Sequence, residues 1–202
     1  MARYLVCLTG ASGAIYGIRL LSALVSTGAA VHLAASSWGA RVVLEETGRP
    51  LGYWIGKIRA AGGPGGKPAT ISVHASDDLG APVASGSFKL DGTAIVPCSM
   101  GTVGALASGA VSNLVHRAGA VALKEGWPLV LVPRESPLSL VALEGLVKLK
   151  QSGATILPAC PGFYNRPKAI DELIDQITYR VLDHLGLPTP GAPSWKDTRG
   201  EE

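Results

Sequence analysis

The feature that most constrains this chain is a set of short, continuously apolar runs, each stopped abruptly by glycine, serine or proline. Residues 4–8 (YLVCL), 30–35 (AVHLAA), 94–96 (AIV), 129–132 (LVLV) and 155–157 (TIL) are the clearest. A strand with one wet face alternates apolar and polar residues. Runs without alternation belong to strands covered on both faces, which is the condition of a parallel sheet between helical layers. Between the runs the period changes. Ile15, Ile18, Leu21, Leu24 and Val25 recur at helical spacing, and helices are also expected at 38–47, 102–109, 112–125, 138–150 and 170–185. Residues 71–73 add a short strand. Strand alternating with helix predicts a single-domain α/β fold, doubly wound, Rossmann-like or flavodoxin-like, with a mostly parallel sheet flanked by helices. It would span 1–187, with 188–202 as a C-terminal tail. Residues 48–70, which contain GGPGG at 62–66, read as an irregular excursion.

Composition narrows the function. With 47% apolar and 16% charged residues the chain is too apolar for disorder. So little charge fits either an outer surface covered by other subunits or a domain rich in buried helices. No run of 18 apolar residues predicts a membrane span, and the short run ending at Thr9-Gly10 is unlike a signal peptide. Cys7, Cys98 and Cys160 are far apart and form no CxxC pair, which suits a reducing cytoplasm and gives no zinc knuckle. A net charge of +3 from scattered basic residues argues against nucleic acid and leaves small anions open. His32, His74, His116 and His184 show no metal-ligand spacing, so no metal site is expected.

Ligands of such sheets bind outside the carboxyl ends of the strands. Here those ends are 9–13, 36–37, 97–101, 133–137 and 158–164. The first, TGASGAIYG at 9–17, is a glycine-rich turn opening a helix. It reads as a nucleotide site at a helix N-terminus with free N–H groups, or simply as a tight turn. The spacing is not GxGxxG, and Ser36-Ser37 stands where a dinucleotide enzyme carries an acid. Two hydroxyls suit a phosphate, hence a mononucleotide such as FMN, or one of them caps the helix, or both. Tyr53 and Lys57 match a YxxxK pattern by chance, in the wrong place. In PCSMGT at 97–102 small polar groups could meet a flavin edge, and Cys98 reads as a packing cysteine rather than a nucleophile. Arg117 and Lys124, seven apart, share a helix face; Arg134, with Glu135 after it, Tyr164 and Arg180 follow, and the Arg, Lys and Tyr side chains supply donors suited to a phosphate monoester. Several of these would lie near carboxyl ends of strands.

Six blocks then occur in order: TGASGAIYG (9–17), GAPVASGS (80–87), PCSMGT (97–102), NLVHRAGAVALKE (113–125), LVLVPRESP (129–137) and LPACPGFY (157–164). Together they resemble the UbiX-type flavin prenyltransferases, from the N-terminus to about residue 187. The resemblance implies a metal-independent prenyltransferase that joins a dimethylallyl group from dimethylallyl phosphate to N5 and C6 of reduced FMN. Prenylated FMN would pass to a UbiD-type decarboxylase. It implies that Gly10, Ala11, Ser12, Ser37, Ser99, Met100, Thr102 and Arg134 hold FMN. Arg117, Lys124, Tyr164 and Arg180 would hold the prenyl phosphate, and Trp195 could face the allyl cation. Ser12, Lys124 and Glu135 would take part in catalysis, Glu135 in proton transfer. It also implies a homo-oligomer, a dodecamer, in which several of these groups meet across subunits. The alternatives are an FMN-dependent cysteine decarboxylase-like flavoprotein or a non-catalytic flavin carrier.

Overall fold

The computed structural model describes residues 1–187 and Thr189. Its strands are β1 (Arg3–Leu8), β2 (Ala30–Ala35), β3 (Ile71–His74), β4 (Gly92–Cys98), β5 (Leu129–Pro133) and β6 (Thr155–Ile156). Its helices are α1 (Ala14–Ser26), α2 (Ser37–Thr47), α3 (Leu51–Ala61), α4 (Met100–Ser108), α5 (Leu114–Glu125), α6 (Leu140–Gln151) and α7 (Ile170–His184). The six strands lie in the order β3-β2-β1-β4-β5-β6, and every neighbouring pair is parallel. The doubly wound reading holds.

The apolar runs are continuous because each strand feeds two cores. Along β1, Tyr4, Val6 and Leu8 enter one core, while Leu5 and Cys7 enter the other. The first core takes Leu21 and Leu24 of α1, Val43 of α2, and Ile177 and Val181 of α7. The second takes Val103 and Leu106 of α4, Leu114 and Ala118 of α5, and Leu149 of α6. Leu20, Leu21 and Leu24 are each 0% exposed, and full burial of such a side chain is worth about 1.5–3 kcal/mol. Gly39 lets α2 press onto the sheet: a Cβ there would strike the Leu8 carbonyl.

One expectation fails. The excursion at 48–70 is helical over Leu51–Ala61 and holds a short 3-10 turn at Pro64–Gly66. Leu51, Trp54, Ile55 and Ile58 fall at i, i+3, i+4 and i+7 and pack on the first core. Gly52 and Gly56 face open space and lower the local helix propensity, which hid this apolar stripe. Packing onto α1 and α2 supplies what propensity lacks.

Candidate active site

The order of the sheet reverses between β1 and β4, and at that switch point a doubly wound fold opens its crevice. Thr9 ties the two strand ends together. Its hydroxyl donates to the Pro97 carbonyl at 2.7 Å and accepts from the Ser99 N–H at 2.8 Å. Ser99 caps α4, accepting from the Thr102 N–H at 3.3 Å, with the Thr102 hydroxyl 3.2 Å away. Thr102 itself is buried, so Ser99 and half-buried Met100 form the surface of this turn. Arg134 closes the rim from β5. Its N–H donates to the Cys98 carbonyl at 3.4 Å, and its Nε donates to the Ser12 carbonyl at 3.3 Å. Glu135 is exposed beside it, with its carboxylate accepting from the Ser136 N–H at 3.0 Å. Ser12, Ser99, Arg134 and Glu135 thus share one rim.

The N-terminus of α1 holds a correction. Its first N–H groups are not free. Gly13, at φ 104°, makes a turn that has no side-chain cap of its own. Instead the Glu46 carboxylate of α2 accepts from the N–H of Gly13 at 3.0 Å and of Ala14 at 2.8 Å. An anion is therefore already seated at this helix start. Sequence reading missed Glu46, because nothing local marks a carboxylate three turns along one helix as the cap of another. Thr9 was read only as part of the turn.

On the adjoining turn Ser36 is the cap of α2, accepting from the Gly39 N–H at 3.0 Å, while Ser37 is exposed. Ala11 is buried, and exposed Gly10 abuts Trp38. Ser37, Trp38, Arg41 and Glu45 line an open recess of about 480 Å³ with an exposed indole. The outward hydroxyls of this rim, its arginine and this flat apolar wall fit a flavin mononucleotide in chemistry and in size. Cys98 is completely buried, and burial pushes its thiol upward; burial likewise pushes the Cys7 thiol up to about 12. A protonated thiol in a core is a packing group, not a nucleophile.

Arg117 and Lys124 do share a face. With Glu125, Leu79 and residues of the 80–87 block they line a cavity of about 450 Å³. Arg117 Nε donates to the Ala84 carbonyl at 3.0 Å, and Lys124 pairs with Glu125 at 2.8 Å while its side chain stays 66% exposed. Arg117 lies one turn from the start of α5, whose Leu114 N–H meets the Ser76 carbonyl just past β3. Helix α5 runs back toward the amino ends of the strands, finishing at Glu125 shortly before β5 begins at Leu129. Lys124 sits seven residues, about 10 Å, further from the rim than Arg117. Arg180 lies near the end of α7, in the opposite layer, paired with Asp183 at 3.4 Å. Tyr164 follows β6 and lays its ring against Gly162. One chain therefore gathers the rim groups and gathers Arg117 with Lys124, but holds Arg180 on the other side of the sheet. Trp195 lies outside the described residues. Among those residues no three His, Cys, Asp or Glu side chains gather as metal ligands would, and no helix is long and apolar enough to cross a membrane.

Known proteins share this fold. The flavoprotein family model matches residues 1–182. A flavin prenyltransferase UbiX from Halalkalibacterium halodurans is 44% identical over 97% of this chain and 94% of its own length. AnUbiX, solved in complex with FMN and dimethylallyl pyrophosphate, superimposes with a TM-score of 0.86 at 39% identity, covering 96% of this chain and 97% of that one. A dodecameric FMN-dependent UbiX-like decarboxylase from Escherichia coli O157:H7 gives a TM-score of 0.85 at 37% identity over 96% and 99% of the two chains. The chain belongs to the flavoprotein family and, within it, to the UbiX-type flavin prenyltransferases.

Proposed function

We propose that this enzyme transfers the dimethylallyl group of dimethylallyl phosphate to N5 and C6 of reduced FMN, releasing phosphate and giving prenylated FMN for a UbiD-type decarboxylase. The observation that carries the reading is the cavity walled by the 80–87 block, where Arg117 and Lys124 stand on one helix face, with Glu125 paired to Lys124 at its edge. A prenyl donor needs its departing phosphate neutralised as the carbon–oxygen bond breaks, and fixed cations do this without reorganising.

FMN would lie along the rim, held by Gly10, Ala11, Ser12, Ser37, Ser99, Met100 and Arg134, with Thr102 fixing Ser99. It would supply N5 and C6, the two atoms that bond the prenyl group. Ser12 and Glu135 would face the reacting edge, where Glu135 is suited to moving the proton lost on ring closure. Glu46, facing the turn after Ser12, is a second carboxylate at the same edge. Arg117 and Lys124 would bind the phosphate together with Tyr164 and Arg180, and Lys124 would assist its departure.

Those last groups are apart within one chain, so the phosphate seat is completed between copies. Leu140, Val141, Leu143 and Val147 support this, since α6 presents them 44–77% exposed. An apolar helix face of that kind is covered in an assembly. A dodecamer, as in the Escherichia coli structure, is the assembly we favour. A cytoplasmic setting suits the three free cysteines.

The test is anaerobic incubation with reduced FMN and dimethylallyl phosphate, followed by mass analysis of the flavin. A gain of one five-carbon prenyl unit is expected. Flavin left bound and unmodified with both the monophosphate and the diphosphate would overturn the reading in favour of a cysteine decarboxylase-like protein or a carrier. Co-assembled Lys124→Ala and Arg180→Ala chains should recover part of the turnover that each lacks alone. Absence of recovery would place the phosphate seat within one chain.

A further inference from the structure

His32 and His74 take no part in the chemistry above, yet they meet across β2 and β3. His32 Nδ1 lies 2.9 Å from His74 Nε2, and the rings stack at 5.2 Å with 16° between their planes. His32 also receives the edge of Phe88 at 5.3 Å. One imidazole on β2 thus touches both ends of the segment that leaves β3 at His74 and returns toward β4. That segment carries residues 79–87, which wall the cavity containing Arg117 and Lys124. Its middle is fastened to α5 by the Leu114 N–H donating to Ser76 at 2.7 Å and by Arg117 Nε on Ala84.

We propose that His32 and His74 act as a neutral clasp that positions residues 75–88, so that acid opens the clasp and loosens the anion seat these residues wall. The inference rests on the reading of that cavity as a phosphate site. The contact needs one nitrogen to donate and the other to accept. A first proton can be shared between the rings. A second sets two N–H groups facing each other across 2.9 Å, and the bond is lost.

The surroundings oppose that second proton. Burial lowers the His32 pKa first, then His74 and Arg3, which faces the site from β1 and stands over Phe88 at 5.0 Å. Burial lowers the His74 pKa, against a smaller opposing pull from Asp78 on the segment itself. Asp91 is engaged by the Arg3 N–H at 2.7 Å. The sign follows. The folded protein binds fewer protons here than the unfolded chain, so stability from the clasp is whole above the ordinary histidine value of 6.5 and is lost as pH falls below it.

The test is hydrogen exchange of amides 75–88, corrected for intrinsic rates, with inorganic sulfate binding by calorimetry, at about pH 7.5 and about pH 5.5, on either side of the ordinary histidine pKa. Sulfate remains a dianion across this range. In the wild-type protein both protection and affinity should fall in acid, affinity by about tenfold, the change one unit of linked protonation produces. His74→Phe keeps an aromatic ring but removes the contact, so both readouts should already be low at about pH 7.5 and change less in acid than in the wild type. His116, lowered by burial and bonded to Ser112, is unaltered in that variant and serves as the control. Equal acid sensitivity in both proteins, or acid-insensitive protection in the wild type, overturns the clasp. If sulfate binds at neither pH, the phosphate-seat reading fails and the exchange data alone judge the clasp.

Discussion

Two helix starts stand side by side at the carboxyl edge of the sheet, and they are finished differently. Helix α4 is capped by its own preceding residue, Ser99, through a neutral hydroxyl. Helix α1 has no local cap and is completed by Glu46, a charged group from α2, 32 residues beyond Ala14. A local neutral cap leaves the positive end of its helix available to an incoming group. A remote carboxylate already answers it. The rim therefore offers Ser99 and Arg134 as donors, whereas the N–H groups of the glycine-rich turn of α1 are already taken by the Glu46 carboxylate.

The sharpest way to break this comparison is Gly39→Ala. The added methyl meets the Leu8 carbonyl, pushes α2 off the sheet and withdraws Glu46 from Gly13. Overpacking against backbone costs about 3 kcal/mol, so Tm should fall by about 6–12 °C in a chain of this size. An unchanged Tm would mean that α2 is not held by this contact. Glu46→Ala should cost less, about 1–2 kcal/mol, because two N–H groups lose their acceptor at an exposed edge. Ser99→Ala should cost about 1 kcal/mol, with one capped N–H lost. Denaturant unfolding ranks the two, and equal or reversed costs would erase the distinction between remote and local caps. The smallest effect separates charge from hydrogen bonding. The stability gap between wild type and Glu46→Gln, about 0.3–1 kcal/mol at low salt, should shrink in molar salt, whereas the Ser99→Ala gap should not.

Legibility in the sequence followed the range of the forces involved. The strands, the βα turns and a serine cap at 36–37 could be read because period and capping are set by neighbours a few residues apart. Helix α3 was read as loop because its stripe of Leu51, Trp54, Ile55 and Ile58 is interrupted by glycines, and its stability comes from a surface elsewhere in the chain. Lys124 and Arg180 were legible as residue types suited to phosphate. Their separation across the sheet was not, since it depends on which layer each helix joins.

By itself, then, the sequence determined the layered α/β architecture, the strand ends that form the rim, and the family, through blocks whose order and spacing are local facts. Tertiary structure alone decided that Glu46 closes α1, that His32 meets both His74 and Phe88, and that the cations of α5 and α7 lie on opposite faces. Each of these joins side chains distant along the chain, and no periodicity encodes such a meeting. It is settled only when the apolar faces of the helices choose their sides of the sheet.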